Sequence, residues 1–217
     1  MSDSRYTLVF EAIHQILSES SVGNLTISNI AKKCHLHPNT VNYYFKGKAD
    51  MLMRFHAYLI RLEALKRPEY YHTVPPDEHE AVRALASILD QELFNPYFYT
   101  EAQKKLQMHL FSSMDEHPVI RQYLAEKHSE HQSFLRQVAI LYQEAGIIKA
   151  EALEEGMSSL MVCSAGLEYL HFYYEAQPLA HMSHTWADLT GNRSKLLRML
   201  VQDKYLVLLN DILGELH

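Results

Sequence analysis

The sequence predicts an all-α protein, and three observations carry that expectation. Apolar residues recur at i, i+3 and i+4 along most of the chain, the spacing of one helical face. No stretch alternates apolar and polar side chains as a strand would, and no internal repeat stands out. The 7 glycines and 7 prolines fall mostly at junctions between the periodic stretches. The pattern divides into about nine helices.

A first helix over residues 4–21 gathers Val9, Phe10, Ile13, Ile16 and Leu17 into one stripe and ends at Gly23-Asn24. A short helix then starts at Thr26, whose hydroxyl can accept a hydrogen bond from an N–H of the first turn. Leu25, Ile27, Ile30 and Ala31 form its apolar side. Cys34-His35-Leu36-His37 interrupts the pattern, and Pro38 restarts it, because the first helical turn has no need of the N–H that proline lacks. Val41, Tyr44 and Phe45 supply the buried side of this third helix. Two short helices joined by a tight turn, the second with polar groups left outside, describe a helix-turn-helix.

Gly47 marks the next junction. A fourth helix over 48–66 carries Met51, Leu52, Phe55, Tyr58, Leu59, Leu62 and Leu65 on a broad apolar side and stops at Arg67-Pro68. Residues 70–77, with Pro75-Pro76, form a loop. Helices are then expected at 78–93 (Val82, Leu85, Ile88, Leu89) and at 97–113 (Phe98, Leu106, Leu110, Phe111), separated by Asn95-Pro96. His117-Pro118 opens a longer helix through Val119, Tyr123, Phe134, Val138 and Tyr142, closed by Gly146 as a C-cap. Residues 151–175 form another helix, 177–191 a connection holding the only tryptophan, Trp186, and 192–213 a last helix dense in leucine.

Composition narrows the function. At 217 residues with 47% hydrophobic content, the chain can bury a sizeable core. Two distant cysteines, Cys34 and Cys163, suit a reducing compartment rather than a disulfide scaffold. No signal-peptide pattern and no membrane-length apolar run is visible, so a soluble cytoplasmic protein without membrane contact is expected. The net charge of −6 is uneven. Residues 1–50 set Arg5, Lys32, Lys33, Lys46 and Lys48 against Asp3, Glu11, Glu19 and Asp50, a balance of +1, which leaves −7 for the remainder. A local basic patch suffices to meet phosphates, and the acidic remainder would orient the molecule. No Gly-rich phosphate loop, Gly-x-Ser-x-Gly elbow or His-Glu-x-x-His stretch is present, so neither an enzyme nor a cofactor is expected.

The run from Thr26 through Ile30-Ala31, Leu36, Thr40, Tyr44-Phe45 and Lys48 resembles the DNA-binding segment of the tetracycline-repressor (TetR) family of transcriptional regulators. Two departures from that pattern stand out: His35 replaces the turn glycine, and Asn42 replaces the usual tyrosine of the recognition helix. Histidine tolerates a positive φ better than bulky residues do, so the turn can still form at a cost. The resemblance implies an N-terminal helix-turn-helix domain at 1–47 and a larger effector-binding and dimerisation domain at 48–217. It also implies a homodimer through the last two helices, double-stranded operator DNA as partner, and a small-molecule effector that releases a repressor.

On this reading the outer face of the recognition helix offers His37, Asn39, Thr40, Asn42 and Tyr43, with Ser28 on the preceding helix. Asparagine can pair bidentately with adenine, and a threonine methyl can meet that of thymine. Thr26, Tyr43, Tyr44 and Lys48 suit phosphates. The resemblance further implies an effector cavity in the larger domain. Its candidate residues are Phe94, Phe98, Met108, Phe111, Phe134, Tyr142, Met161, Glu168 and Phe172, which suggest a hydrophobic or aromatic ligand. Two alternatives stay open. One is a relative that has lost DNA binding. The other is a di-iron-like helical bundle, since Glu11-Ala-Ile-His14 and Glu168-Tyr-Leu-His171 both match Glu-x-x-His, and His128/His131 and His181/His184 have ligand-like spacing.

Overall fold

A computed structural model describes residues 3–94, 100–153 and 197–215. Its helices are α1 (Asp3–Glu19), α2 (Ile27–Lys33), α3 (Pro38–Tyr44), α4 (Lys48–Ala64), α5 (Glu78–Leu89), α6 (Glu101–Ser112), α7 (Pro118–Glu144) and α8 (Leu206–Glu215). No strand occurs among the described residues, as the periodicity predicts. The expected helix at 151–175, beyond a 3₁₀ turn at Ala150–Leu153, and the connection at 177–191 lie outside the described residues.

The chain packs as two compact units. The first comprises Met1–Arg67 and Tyr99–His128, so α4, α6 and the start of α7 share a core with α1–α3. Phe10, Ile13, Leu17, Ile30, Val41, Phe45, Leu52 and Phe55 are buried there together with Leu106, Leu110 and Ile120. Half-buried His56 of α4 bonds through Nδ1 to the Tyr123 hydroxyl of α7 at 2.9 Å. Burial is the main cause holding this imidazole below its ordinary value, with Lys127 adding to it and a Gln107 hydrogen bond opposing. The second unit comprises Pro68–Phe98 and Ser129–His217. Its core holds Val82, Leu85, Leu89, Leu135, Val138, Tyr142, Leu200, Leu209 and Ile212.

The turn between α2 and α3 has a specific hydrogen-bond signature. Leu36 N–H donates to the Ala31 carbonyl at 2.9 Å and His35 N–H to the Lys32 carbonyl at 3.4 Å, the paired closure of a helix ending in a left-handed residue. His35 is that residue, with φ 54°, the only non-glycine at positive φ among the described residues. The same closure ends α7: Ile147 donates to Tyr142 at 2.9 Å and Gly146 to Gln143 at 2.9 Å, with Gly146 at φ 73°. One chain thus makes one motif twice, once with the residue that adopts it freely and once with histidine. His35→Gly is therefore expected to raise the unfolding free energy by about 1 kcal/mol, since the left-handed penalty disappears and glycine's extra unfolded-state entropy offsets only part of it. A urea titration read by circular dichroism would check it.

Three expected helices end elsewhere. The helix expected over 78–93 is α-helical only to Leu89, and Asp90–Phe94 form a π-helical turn. The helix expected from 97 begins at Glu101, because Thr100 and Gln103 make a reciprocal cap: Thr100 N–H donates to Gln103 Oε1 at 2.6 Å and Gln103 N–H to Thr100 Oγ1 at 3.3 Å. The last helix is not continuous. Ile148 and Val201 form an isolated antiparallel bridge. Lys149 N–H donates to the Leu200 carbonyl at 2.9 Å, and Gln202 N–H to the Ile147 carbonyl at 2.9 Å, so the backbone leaves the helix there and re-enters it at α8.

Candidate nucleic-acid interface

The candidate interface is built on α2 and α3. Thr26 caps α2: its Oγ1 accepts the Asn29 N–H at 3.2 Å, which leaves the hydroxyl proton free to donate outward. His37 caps α3, its Nδ1 accepting the Asn39 N–H at 3.2 Å. An accepting Nδ1 carries no proton, so the neutral ring presents Nε2–H as a donor. His37 was expected to face DNA; it also holds the helix end that would do so. Val41 is wholly buried beneath α3.

Asn39, Asn42 and Tyr43 are exposed, and Thr40 is half-buried. The three exposed residues stand at i, i+3 and i+4 and share one helical face. Tyr43 is 87% exposed, too open to belong to the core. Tyr44 is half-buried, its ring 4.7 Å from Tyr6 and edge-on to it, so it braces α3 against α1. Ser28 and Thr26 are exposed on or beside α2.

The lysines divide. Lys33 donates to Glu19 at 2.7 Å, and Lys48 reaches the Val22 carbonyl at 3.5 Å. Lys32 and Lys46 are exposed and have no ion-pair partner among the described residues. Asp50, whose charge alone entered the expectation, accepts the Lys46 N–H at 2.9 Å and the Arg54 Nε–H at 2.8 Å. Burial alone would raise its carboxyl, but these bonds outweigh it and hold the group below the usual range. Lys105 of α6 was missed. Its Nζ donates to the Leu17 and Ser20 carbonyls at 3.0 and 3.2 Å, a cation on the C-terminal end of α1.

The expected effector residues divide between the units. Met108 and Phe111 lie on the exposed side of α6, in the first unit. Phe134 and Tyr142 belong to the second. Phe134 stacks on Tyr71 at 5.9 Å, and Tyr71 on Tyr70 at 5.6 Å. Tyr142 is fully buried, its hydroxyl donating to the Tyr70 carbonyl at 3.0 Å, and burial holds its phenol well above the ordinary value. Phe94 lies in the π-helical turn, beside Glu92, whose carboxylate is 3.8 Å from His131. Phe98, Met161, Glu168 and Phe172 lie outside the described residues. Among the described residues, no three His, Cys, Asp or Glu side chains converge as a metal site requires.

No protein-family sequence model and no curated protein sequence matches the chain. Solved structures do. A TetR transcription regulator from Haloarcula marismortui superposes with a TM-score of 0.67 at 19% identity, covering 92% of this chain and 99% of its own. A putative transcriptional regulator from Saccharomonospora viridis, solved in complex with choline, gives 0.67 at 14% identity over 93% and 100%. NalD, the secondary repressor of a multidrug efflux pump in Pseudomonas aeruginosa, gives 0.55 at 13% identity over 94% and 100%.

Proposed function

From a chain with the fold of the TetR-family transcription regulators, we propose a DNA-binding regulator that acts as a homodimer and answers to a small molecule. The observation that carries the DNA reading is the face of α3: Asn39, Asn42 and Tyr43 are exposed while Val41 is sealed beneath them, and His37 fixes the helix start. Base edges in a major groove are read by such amides, and phosphates by Tyr43, Tyr44, Lys46, Lys48 and the hydroxyls of Thr26 and Ser28. Two copies would set their recognition helices about 34 Å apart on a palindromic site.

Dimerisation through the C-terminal helices is supported by α8, where Val207 is 73% exposed although Leu209, Ile212 and Leu213 of the same helix are buried. The effector site belongs to the second unit, where the Tyr70–Tyr71–Phe134 stack favours an aromatic or hydrophobic ligand and is tied to a π-helical turn by the Tyr71 hydroxyl, which donates to Gln91 Oε1 at 3.1 Å. The choline-bound neighbour supports a small molecule in that role. Ligand binding would favour a state whose recognition helices no longer match successive grooves, releasing the operator as a repressor does.

A mobility-shift titration against DNA flanking the gene tests this. The expected result is specific retardation that weakens steeply with salt, needs Tyr43, and accompanies a dimer in sedimentation. Salt-insensitive binding, or a monomer that binds no flanking DNA, would remove the proposal.

A further inference from the structure

One cleft of the first unit is left over by this reading. It has a volume of about 310 Å³, at the lower end for small-molecule sites, and every lining residue belongs to the first unit. Its floor is aromatic and aliphatic: Phe10 from α1, with Phe55, Tyr58 and Leu62 from α4. Phe10 and Tyr58 lie 4.8 Å apart between ring centroids, and Tyr58 is half-buried where Phe10 and Phe55 are buried, so the Tyr58 ring is the aromatic surface most open to the cleft. The rim is acidic. Glu11 and His14, the Glu-x-x-His pair of α1, stand on one side, and Glu63 of α4 on the other. The rim's lysine, Lys66, is taken by Glu63 at 3.0 Å. Glu11 is exposed and has no ion-pair partner among the described residues.

We propose that this α1–α4–α6 cleft is a binding site for a small organic cation with an apolar body, the ammonium held by Glu11 and the Tyr58 ring and the body lying on Phe10 and Leu62. A metal ion is the poorer occupant, because no three His, Cys, Asp or Glu side chains converge there among the described residues. An anion would meet the Glu11 carboxylate, unpaired among the described residues, and the rim's lysine is held by Glu63. A cation over aromatic faces gains from both the rings and the carboxylate. The floor also borders the recognition helix. Phe10 lies 6.2 Å from Phe45, the residue that ends α3, so an occupant pressing on Phe10 presses on the support of α3. The site does not depend on the effector proposed for the second unit.

The test is calorimetric titration of the full chain with benzyltrimethylammonium and with its uncharged isostere neopentylbenzene, alongside methyl NMR of leucine-labelled protein. The cation is expected to bind saturably and to shift the Leu59 and Leu62 methyls. Glu11→Gln, an exposed change whose fold is checked by its melting curve, should weaken that binding by roughly tenfold, the equivalent of about 1.4 kcal/mol. Equal affinity in the wild type and Glu11→Gln would overturn the site. So would equal affinity for the uncharged isostere, methyl shifts confined to the second unit, or no binding at millimolar concentration.

Discussion

Replacing Phe10 by alanine is expected to cost about 3–5 kcal/mol of stability, the range for removing a buried phenylalanine. Its ring is 7% exposed and meets four others: Tyr58 at 4.8 Å, Phe55 at 5.7 Å, and Tyr6 and Phe45 at 6.2 Å each. Those partners belong to α1, the end of α3, and α4, so one deletion loosens three elements of this core at once. Against a total stability of about 5–15 kcal/mol, such a loss leaves the first unit marginal. A chain this long should lose roughly 10 °C of melting temperature, at about 2–4 °C per kcal/mol. Tyr43→Ala is the contrast. That ring is 87% exposed and touches only Tyr44 among the rings described, so its removal should stay within about 0.5 kcal/mol. Paired thermal melts decide the matter: a Phe10 variant that melts with the wild type would mean that the cluster repacks around the gap.

Periodicity made the helices legible because each apolar stripe is a local property of the chain. Val9, Phe10, Ile13, Ile16 and Leu17 are all buried where the stripe of α1 places them, and Thr26 and Pro38 open α2 and α3 as their chemistry requires. Gly146 ends α7 for the same reason, a backbone preference carried by one residue. The break near Val201 was not legible. Residues 192–213 keep their leucines in helical register, while the partners that interrupt the helix, Ile147 and Lys149, lie some fifty positions upstream. Lys149 then fastens the break through Nζ, to the Arg198 carbonyl at 2.8 Å and to Asp203 at 2.7 Å. The start of α6 was legible in principle, since Thr100-x-x-Gln103 is a capping signature. The aromatic run before it drew the expected boundary too early.

The candidate interface divides along the same line. Exposure on a seven-residue helix follows from its few buried positions, so Asn39, Asn42 and Tyr43 could be placed outward once Val41 and Phe45 were placed inward. Charge could not be assigned this way. Lys33 looks equivalent to Lys32 in sequence, yet Glu19, fourteen residues earlier, takes it into an ion pair. Lys105 carries no local signal at all, because its partners at the end of α1 precede it by more than eighty residues. His35 is the instructive case. Its side chain was expected to let the turn form at a cost, and the hydrogen bonds of Leu36 and His35 do close the motif, around a left-handed histidine.

Asn42→Ala should weaken binding to the matched operator by about 1–3 kcal/mol, the usual worth of one bidentate amide–base pair, and should flatten discrimination at one base position. Asn42 is exposed on the same face as Asn39 and Tyr43, and its side chain makes no hydrogen bond among the described residues that would compete with a base. Lys46→Ala should behave differently. A phosphate contact carries no sequence information, so its loss lowers affinity for every duplex alike and reduces the slope of log affinity against log salt by about 1. Binding titrations of both variants on matched and single-substituted operators, at several salt concentrations, separate the two roles. A relaxed specificity with an unchanged salt slope for Asn42→Ala, and the reverse for Lys46→Ala, would place the amide on a base and the ammonium on the backbone. If Asn42→Ala instead lowered affinity uniformly, Asn42 would be contacting a phosphate rather than a base.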